Sequence, residues 1–501
     1  METKVSSRTS EKEMRFVPGV DVEEVGIIYG KVGTSSFECS VVAPLEKLEY
    51  VQMKHETCGW VLGQVDKITR KTNLSVEKAR LISRGQKVDF EEVIIASISV
   101  IGYRDERGLL QTPRTPFKAG ESVYRASENL IRHVVGLRDN PEKGAYIGLL
   151  HGHRIKVYLD INTLVQKHVS VLAKTGGGKS YVTGDLIEEF LKHGVTTVVI
   201  DPHGEYSSMA RPAKGGEAYE RFEVVPRGYK DRILLFSPDP KVNKGARPLQ
   251  FTLKNMSPRE ILELTSLKKT STYLSPLRQA VDLLRQTGKN YTLRDIIRIL
   301  ESDEDASLGS LISELEYLME TNILVAEGTR VTDLVQRGKT TIISLKGVPP
   351  DIQELVVERI ASALFRLRKL NKIPPLMLVV EEAHNFCPQQ GQAASSKILR
   401  TIASEGRKFG LGLTIISQRA AKVDKNVLSQ CNTQIILKVT NPNDIKAITS
   451  SVEGLTSGMA DEIQRLPIGV AIVTGGGLGM PLFVEVRPRE TEHGGDAVKV
   501  V

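Results

Sequence analysis

The period of apolar positions changes three times along this chain. From about residue 25 to 160 the apolar runs are short and rich in β-branched residues, as at 25–29, 37–42 and 93–101, with glycines and charged turns between them. That texture predicts an all-β barrel or sandwich. One helix-like segment, 75–82, interrupts it. From Val169 onward nearly continuous apolar runs (169–172, 196–200, 340–345, 376–380, 413–417 and 434–439) alternate with helical stretches. Strands apolar on both faces belong in a parallel sheet covered by helices, so an α/β domain is expected here. Between Ser257 and Gln336 the period turns helical, opening on the capping box Ser257-Pro258-Arg259-Glu260 and continuing at 277–286, 292–301 and 309–320. A helical lobe inserted into the α/β domain accounts for this block.

These changes divide the chain into a disordered start (1–20), a β-barrel (21–160), a first part of the α/β core (161–256), the helical insertion (257–336), a second part of the core (337–486) and a polar tail (487–501).

Composition narrows the class. With 40% hydrophobic and 26% charged residues in 501, the chain can bury sizeable cores as an ordinary globular protein. No apolar stretch approaches the roughly 18 residues of a membrane span, and the start lacks the apolar core of a signal peptide. Cys39, Cys58, Cys387 and Cys431 lie far apart without metal-ligand spacing. A cytoplasmic protein without a membrane partner is expected. The net charge, 68 − 60 = +8, permits a nucleic-acid partner without demanding one.

The chemistry concentrates at Ala173-Lys174-Thr175-Gly176-Gly177-Gly178-Lys179-Ser180, between an apolar strand and the helical run 181–191. Strand, glycine loop and helix are the context of a phosphate-binding P-loop. Glycines let successive backbone N–H groups converge on one point, and the helix N-terminus adds positive charge there. Thr175, Gly176, Gly177, Gly178, Lys179, Ser180 and Tyr181 are the expected nucleotide contacts. Lys179 would reach the β- and γ-phosphates, and Ser180 would ligate Mg²⁺. Ala173 replaces the usual first glycine, a change the loop tolerates if its φ stays negative.

A second motif, 376–384, is an apolar strand ending in Glu381-Glu382-Ala383-His384. Glu381 would hold Mg²⁺, and Glu382 would polarise the attacking water. A third element, 411–419, is a strand ending in the polar amide Gln418, which can donate to phosphate and accept from water. Asp201-Pro202-His203-Gly204-Glu205 follows another strand, where Asp201 or Glu205 is placed to join the metal's water shell and His203 to make a secondary contact. Arg407 is the first choice and Arg419 the second for the cation that phosphoryl transfer requires. An arginine acting in trans puts the site between subunits. The acidic run 301–305 reads as a solvated turn.

Taken in order, LAKTGGGKSY, VVIDPHGEY, LMLVVEEAHNF, SEGRKFGLGLTIISQR and LSQCNTQIILK strongly resemble the HerA branch of the HerA/FtsK ATPases, over roughly residues 20 to 490. The resemblance implies a RecA-like P-loop ATPase core with an N-terminal HAS-barrel. It further implies an archaeal-type, homo-hexameric translocase and helicase on double-stranded DNA, driven by ATP and Mg²⁺, working with a NurA-type nuclease in end resection for recombinational repair. Lys179 and Ser180 match that family's P-loop pair, Glu381 and Glu382 its carboxylates, Arg407 its trans arginine and Gln418 its terminal glutamine.

Basic residues on loops after the strands, namely Arg211, Lys214, Lys397, Lys422 and Lys425, are candidates to meet DNA phosphates. Two other function classes compete: a VirB4-like ATPase pumping protein or conjugation substrates, and a nucleotide-gated scaffold without turnover.

Overall fold

The computed structural model describes residues 22–495 apart from 138, 266, 268–270, 304–305 and 453–456. The expected disordered start, the end of the acidic run and the last six residues of the tail lie outside the described residues. The chain forms two compact units that part after Arg138.

The first unit is a barrel. Its strands are β1 (Glu24–Val32), β2 (Ser36–Val41), β3 (Tyr50–His55), β4 (Gly59–Thr72), β5 (Glu92–Arg104), β6 (Leu110–Gln111) and β7 (Ser122–Arg125). They pair in the order β2-β1-β7-β3-β4-β5, and β5 returns to β2, so six strands close while β6 hangs on the edge of β5. Inward positions alternate along each strand, bringing Val25, Ile28, Phe37, Cys39, Met53, Val65 and Ile98 into one core. Helix α1 (Val76–Ser83), capped by Ser75, buries no side chain. Helix α2 (Glu128–Val135) buries Leu130, Ile131, Val134 and Val135.

The second unit is built on a twelve-stranded sheet. Chain order gives β8 (Gly144–Leu150), β9 (Lys156–Asp160), β10 (Val169–Leu172), β11 (Thr196–Asp201), β12 (Ile233–Ser237), β13 (Arg247–Pro248), β14 (Phe251–Thr252), β15 (Leu324–Val325), β16 (Thr340–Ser344), β17 (Leu376–Val380), β18 (Leu411–Ser417), β19 (Thr433–Ile436), β20 (Val470–Thr474) and β21 (Leu482–Val486). The spatial order is β13-β12-β16-β11-β17-β18-β10-β19-β20-β21-β8-β9. Pairing is parallel from β13 to β19 and antiparallel beyond.

One expectation is corrected by this sheet. The barrel does not run to residue 160, because β8 and β9 extend the α/β sheet, with Leu150 opposite Val484 on β21. All seven residues of β8 are buried, which suits a strand covered on both faces and not a barrel wall. The polar tail packs inward at its start, with Arg487, Arg489 and Thr491 almost wholly buried.

Helices α3 (Ile161–Lys167), α4 (Lys179–Lys192) and α5 (Glu217–Phe222) follow in the first part of the core. The lobe holds α6 (Pro258–Leu262), with its capping box formed, then α7 (Ser271–Gln286), α8 (Leu293–Glu301) and α9 (Gly309–Glu320), each packed on the next. Its entry and exit lie together, since β14 and β15 pair through Phe251 and Leu324. After α10 (Val331–Leu334), the long α11 (Pro350–Lys369), short α12 (Ala383–Phe386) and α13 (Ser396–Phe409) complete the cover used below.

Candidate nucleotide-binding site

Sheet order decides which motifs meet. β18 pairs in parallel with both the P-loop strand β10 and the carboxylate strand β17. The carboxyl ends of all three strands therefore open on one crevice, where doubly wound sheets hold ligands.

The P-loop leaves β10 with Gly176 at φ +70° and Gly178 at φ +92°, conformations that L side chains rarely adopt. A Cβ on Gly177 would come 2.9 Å from the Lys174 carbonyl. Ala173 keeps an ordinary backbone, so its methyl group is tolerated. Helix α4 begins at Lys179 and aims its first N–H groups into the loop.

Lys179 Nζ donates to Glu381 Oε1 and Glu382 Oε1, each at 3.1 Å. Ser180 Oγ donates to Glu381 Oε1 at 3.3 Å. Thr175 Oγ1 donates to Gln418 Oε1. Residues from three sequence-distant motifs are thus joined by hydrogen bonds at the strand ends.

Its electrostatics separate the two carboxylates. Burial pushes Glu381 up to about 7 despite the opposing charge of Lys179. Glu382 is also penalised by burial, but His203 and Lys179 beside it bring it down to about 2. Burial would lower Lys179, yet the two glutamates outweigh it and hold its pKa above the ordinary value. Groups of one chemical type driven apart in this way take different roles. Glu381 Oε2 is buried without a hydrogen-bond partner. An orphaned carboxylate oxygen next to the Ser180 hydroxyl and the P-loop fits a hard cation bound with a triphosphate.

Other candidates are placed differently. Asp201 is fully buried, and its oxygens accept the N–H groups of Gly204 (2.8 Å), Glu205 (3.1 Å) and Tyr206 (3.1 Å). Its carboxylate shapes the turn after β11 through these three bonds. Glu205 Oε2 is buried and unpartnered, and His203 Nε2 lies 3.8 Å from Glu382 Oε1. Arg419 is exposed at the end of β18. Arg407 lies in the last turn of α13, just before β18 starts, at the opposite end of the sheet from this chain's own P-loop. A seven-residue strand spans about 20 Å, so Arg407 is out of reach of that loop within one chain. Lys214, Lys397, Lys422 and Lys425 are exposed, while Arg211 is ion-paired with Glu492.

The sequence reading missed what lies behind the P-loop helix. Asp185, Glu188 and Glu189 on α4 are buried, and Arg487 enters among them. Its Nη1 is 2.9 Å from Glu188 Oε2, and its Nη2 is 3.0 Å from Glu189 Oε1. Arg489 packs over Gly184, where a Cβ would meet its Cζ at 2.5 Å, and its backbone N–H donates to the Tyr181 hydroxyl at 3.0 Å. His493 meets the Tyr181 ring edge-on at 5.5 Å. Tyr181, expected to contact nucleotide, is therefore held by the C-terminal segment. The available signal was an i, i+3, i+4 acidic trio on an otherwise apolar helix, which demands buried cations.

A P-loop on β10, a carboxylate pair on β17 and a strand between them define a RecA-like P-loop ATPase. The family model "Helicase HerA, central domain" matches residues 145–364. The DNA double-strand break repair helicase HerA of Pyrococcus furiosus is 27% identical over 520 residues, covering 93% of this chain and 92% of that one. A probable DNA double-strand break repair helicase HerA of Methanocaldococcus jannaschii is 27% identical over 516 residues, covering 95% and 97%. The chain is thus similar to HerA helicases along most of its length, and its central part matches that family's model. VirB4 of Thermoanaerobacter pseudethanolicus shares the fold, with a TM-score of 0.53 at 16% identity over 70% of this chain and 97% of that one.

Proposed function

We propose that this chain hydrolyses ATP with Mg²⁺ and uses the energy to move along double-stranded DNA as a helicase of break repair. The observation that carries the reading is Lys179 clasped between Glu381 and Glu382 at 3.1 Å each, with Gln418 on the P-loop threonine. A site that only binds nucleotide has no need of a second, strongly ionised carboxylate. The relatives' names supply the DNA and repair context.

In this reading the glycine loop and Lys179 orient the triphosphate, releasing Lys179 from the glutamates as it turns to phosphate. Ser180 and Glu381 are the residues that would hold Mg²⁺, which when bound offsets charge on the phosphate oxygens. Glu382 orients the attacking water and accepts its proton as the γ-phosphoryl group leaves ADP. Gln418, one residue beyond β18, senses that group. Arg407 completes the site of a neighbouring copy, which accords with its place far from its own loop and with a ring of six copies. The exposed Lys214, Lys397, Lys422 and Lys425 are the stronger phosphate contacts, since Arg211 is already paired. A NurA-type nuclease is the proposed partner in end resection, and the cytoplasm the proposed location. Among the described residues no helix is long and apolar enough to cross a membrane.

ATP hydrolysis measured with and without linear duplex DNA across a salt series tests this. Stimulation that fades as salt rises is expected, because phosphate contacts release counterions. Hydrolysis indifferent to duplex at every salt concentration would favour a VirB4-like pump, and absence of hydrolysis a scaffold.

A further inference from the structure

Ser417 ends β18 one residue before Gln418. Its hydroxyl lies 3.1 Å from His384 Nδ1 and accepts the N–H of Arg419 at 3.0 Å. The same His384 Nδ1 lies 3.3 Å from Glu382 Oε2, an oxygen that is buried and has no hydrogen bond. The other oxygen of Glu382 is occupied by Lys179. The Glu382 backbone is left-handed, at φ +50°, where α12 begins. A non-glycine residue held there costs about 1–3 kcal/mol and persists only where its surroundings fix it. One ring nitrogen thus stands between the hydrolytic carboxylate and the end of the neighbouring strand, within reach of two acceptors.

We propose that His384 is a positioning residue whose Nδ1–H is shared between Glu382 Oε2 and Ser417 Oγ, so that the end of β18 sets the orientation of the hydrolytic carboxylate. The proposal rests on the ATPase reading above and adds a coupling element to it. When the N–H turns to Ser417, Glu382 Oε2 has no donor and the carboxylate stays drawn to Lys179. When it turns to Glu382, it fixes the second oxygen and leaves the first free to face water once Lys179 moves to phosphate. Gln418 touches Thr175 of the P-loop, so a displacement of this strand end by triphosphate reaches Glu382 through a single ring. Neither change forms nor breaks a covalent bond. What moves is one hydrogen bond, and distances of 3.1 and 3.3 Å make the two acceptors near equals.

The test uses the full chain, with steady-state ATP hydrolysis for kcat and KM and a fluorescent ATP analogue for binding. His384→Ala should lower kcat by about 10–100-fold, the scale of a misplaced catalytic group, with KM and analogue binding unchanged. His384→Asn, which places an amide N–H near the Nδ1 position, should recover most of the loss. Ser417→Ala should not lower kcat, since the N–H is then left to Glu382 alone, and added to His384→Ala it should change nothing further, because the two side chains act through one hydrogen bond. Unchanged kcat in His384→Ala overturns the proposal, as does a further loss in the double variant or a parallel collapse of analogue binding. If the unsubstituted chain hydrolyses no ATP, the ATPase reading itself fails. Hydrolysis that His384→Ala leaves untouched defeats the positioning role alone.

Discussion

Replacing Arg487 by Met tests whether the C-terminal segment is part of the ATPase core. The guanidinium is 0% exposed and faces three acids on α4: Glu188 at 2.9 Å, Glu189 at 3.0 Å and Asp185 at 3.4 Å. Its Nε also donates to the Tyr146 carbonyl on β8 at 2.8 Å. Methionine fills much of the volume but leaves these carboxylates without their principal counter-charge in a site closed to water. Breaking a buried pair from one side costs about 3–5 kcal/mol. At roughly 2–4 °C per kcal/mol for a large domain, that lowers the melting temperature by about 6–20 °C. Calorimetry of the full chain reads this directly. Fluorescence of Trp60, the one tryptophan, follows the barrel separately and should report an unmoved transition. Asp185 is the acid with both oxygens free of hydrogen bonds, and burial raises its pKa well above the ordinary range. Adding Asp185→Asn to Arg487→Met should therefore restore part of the loss. A change below about 1 kcal/mol, the ordinary scale of a surface pair, would refute the reasoning, and so would a double variant no more stable than the single one.

Glu382→Gln should keep nucleotide binding and cut hydrolysis by about 10²–10⁴-fold, the usual worth of a general base; equal turnover would remove Glu382 from that role. Mixing Lys179→Ala chains with Arg407→Ala chains should restore part of the activity each lacks alone if the arginine serves a neighbour, and stably mixed assemblies with no recovery would exclude it. His168 gives a pH signature: burial lowers its pKa to about 4, and its Nδ1 accepts the Leu413 N–H at 2.9 Å, which requires the neutral ring. The unfolded chain takes up this proton near pH 6.5, so the stabilisation is complete above that value and is lost as pH falls toward 4. It amounts to about 3 kcal/mol. Denaturant titrations at pH 7.5 and 4.5 should show that extra loss in the unsubstituted chain and not in His168→Asn; equal losses would refute it.

The legible part of the site was local. Lys179, Ser180, Glu381, Glu382 and Gln418 each stand at a strand end or in a glycine loop, and the structure brings all five into one crevice. Asp201 stood at a strand end too, yet its carboxylate turns inward to three backbone N–H groups. The sequence could not distinguish an acid that faces ligand from one that builds a turn, because both need the same residue at the same place. His384 and Ser417 were legible as neighbours of a motif, but their contact spans 33 positions and exists only because β17 and β18 pair.

By itself the sequence determined the elements and the kind of chemistry. Apolar period fixes which segments bury one face or two, and a glycine loop before a helix fixes a phosphate site, because both follow from backbone geometry within a few residues. Only the tertiary structure decided who meets whom. It set β18 between β10 and β17, moved β8 and β9 out of the barrel and into the large sheet, and put Arg487 among acids some 300 positions away. Those choices are made by covering strands on both faces and by pairing every buried charge, demands that a chain satisfies across its whole length and that no short window of it records.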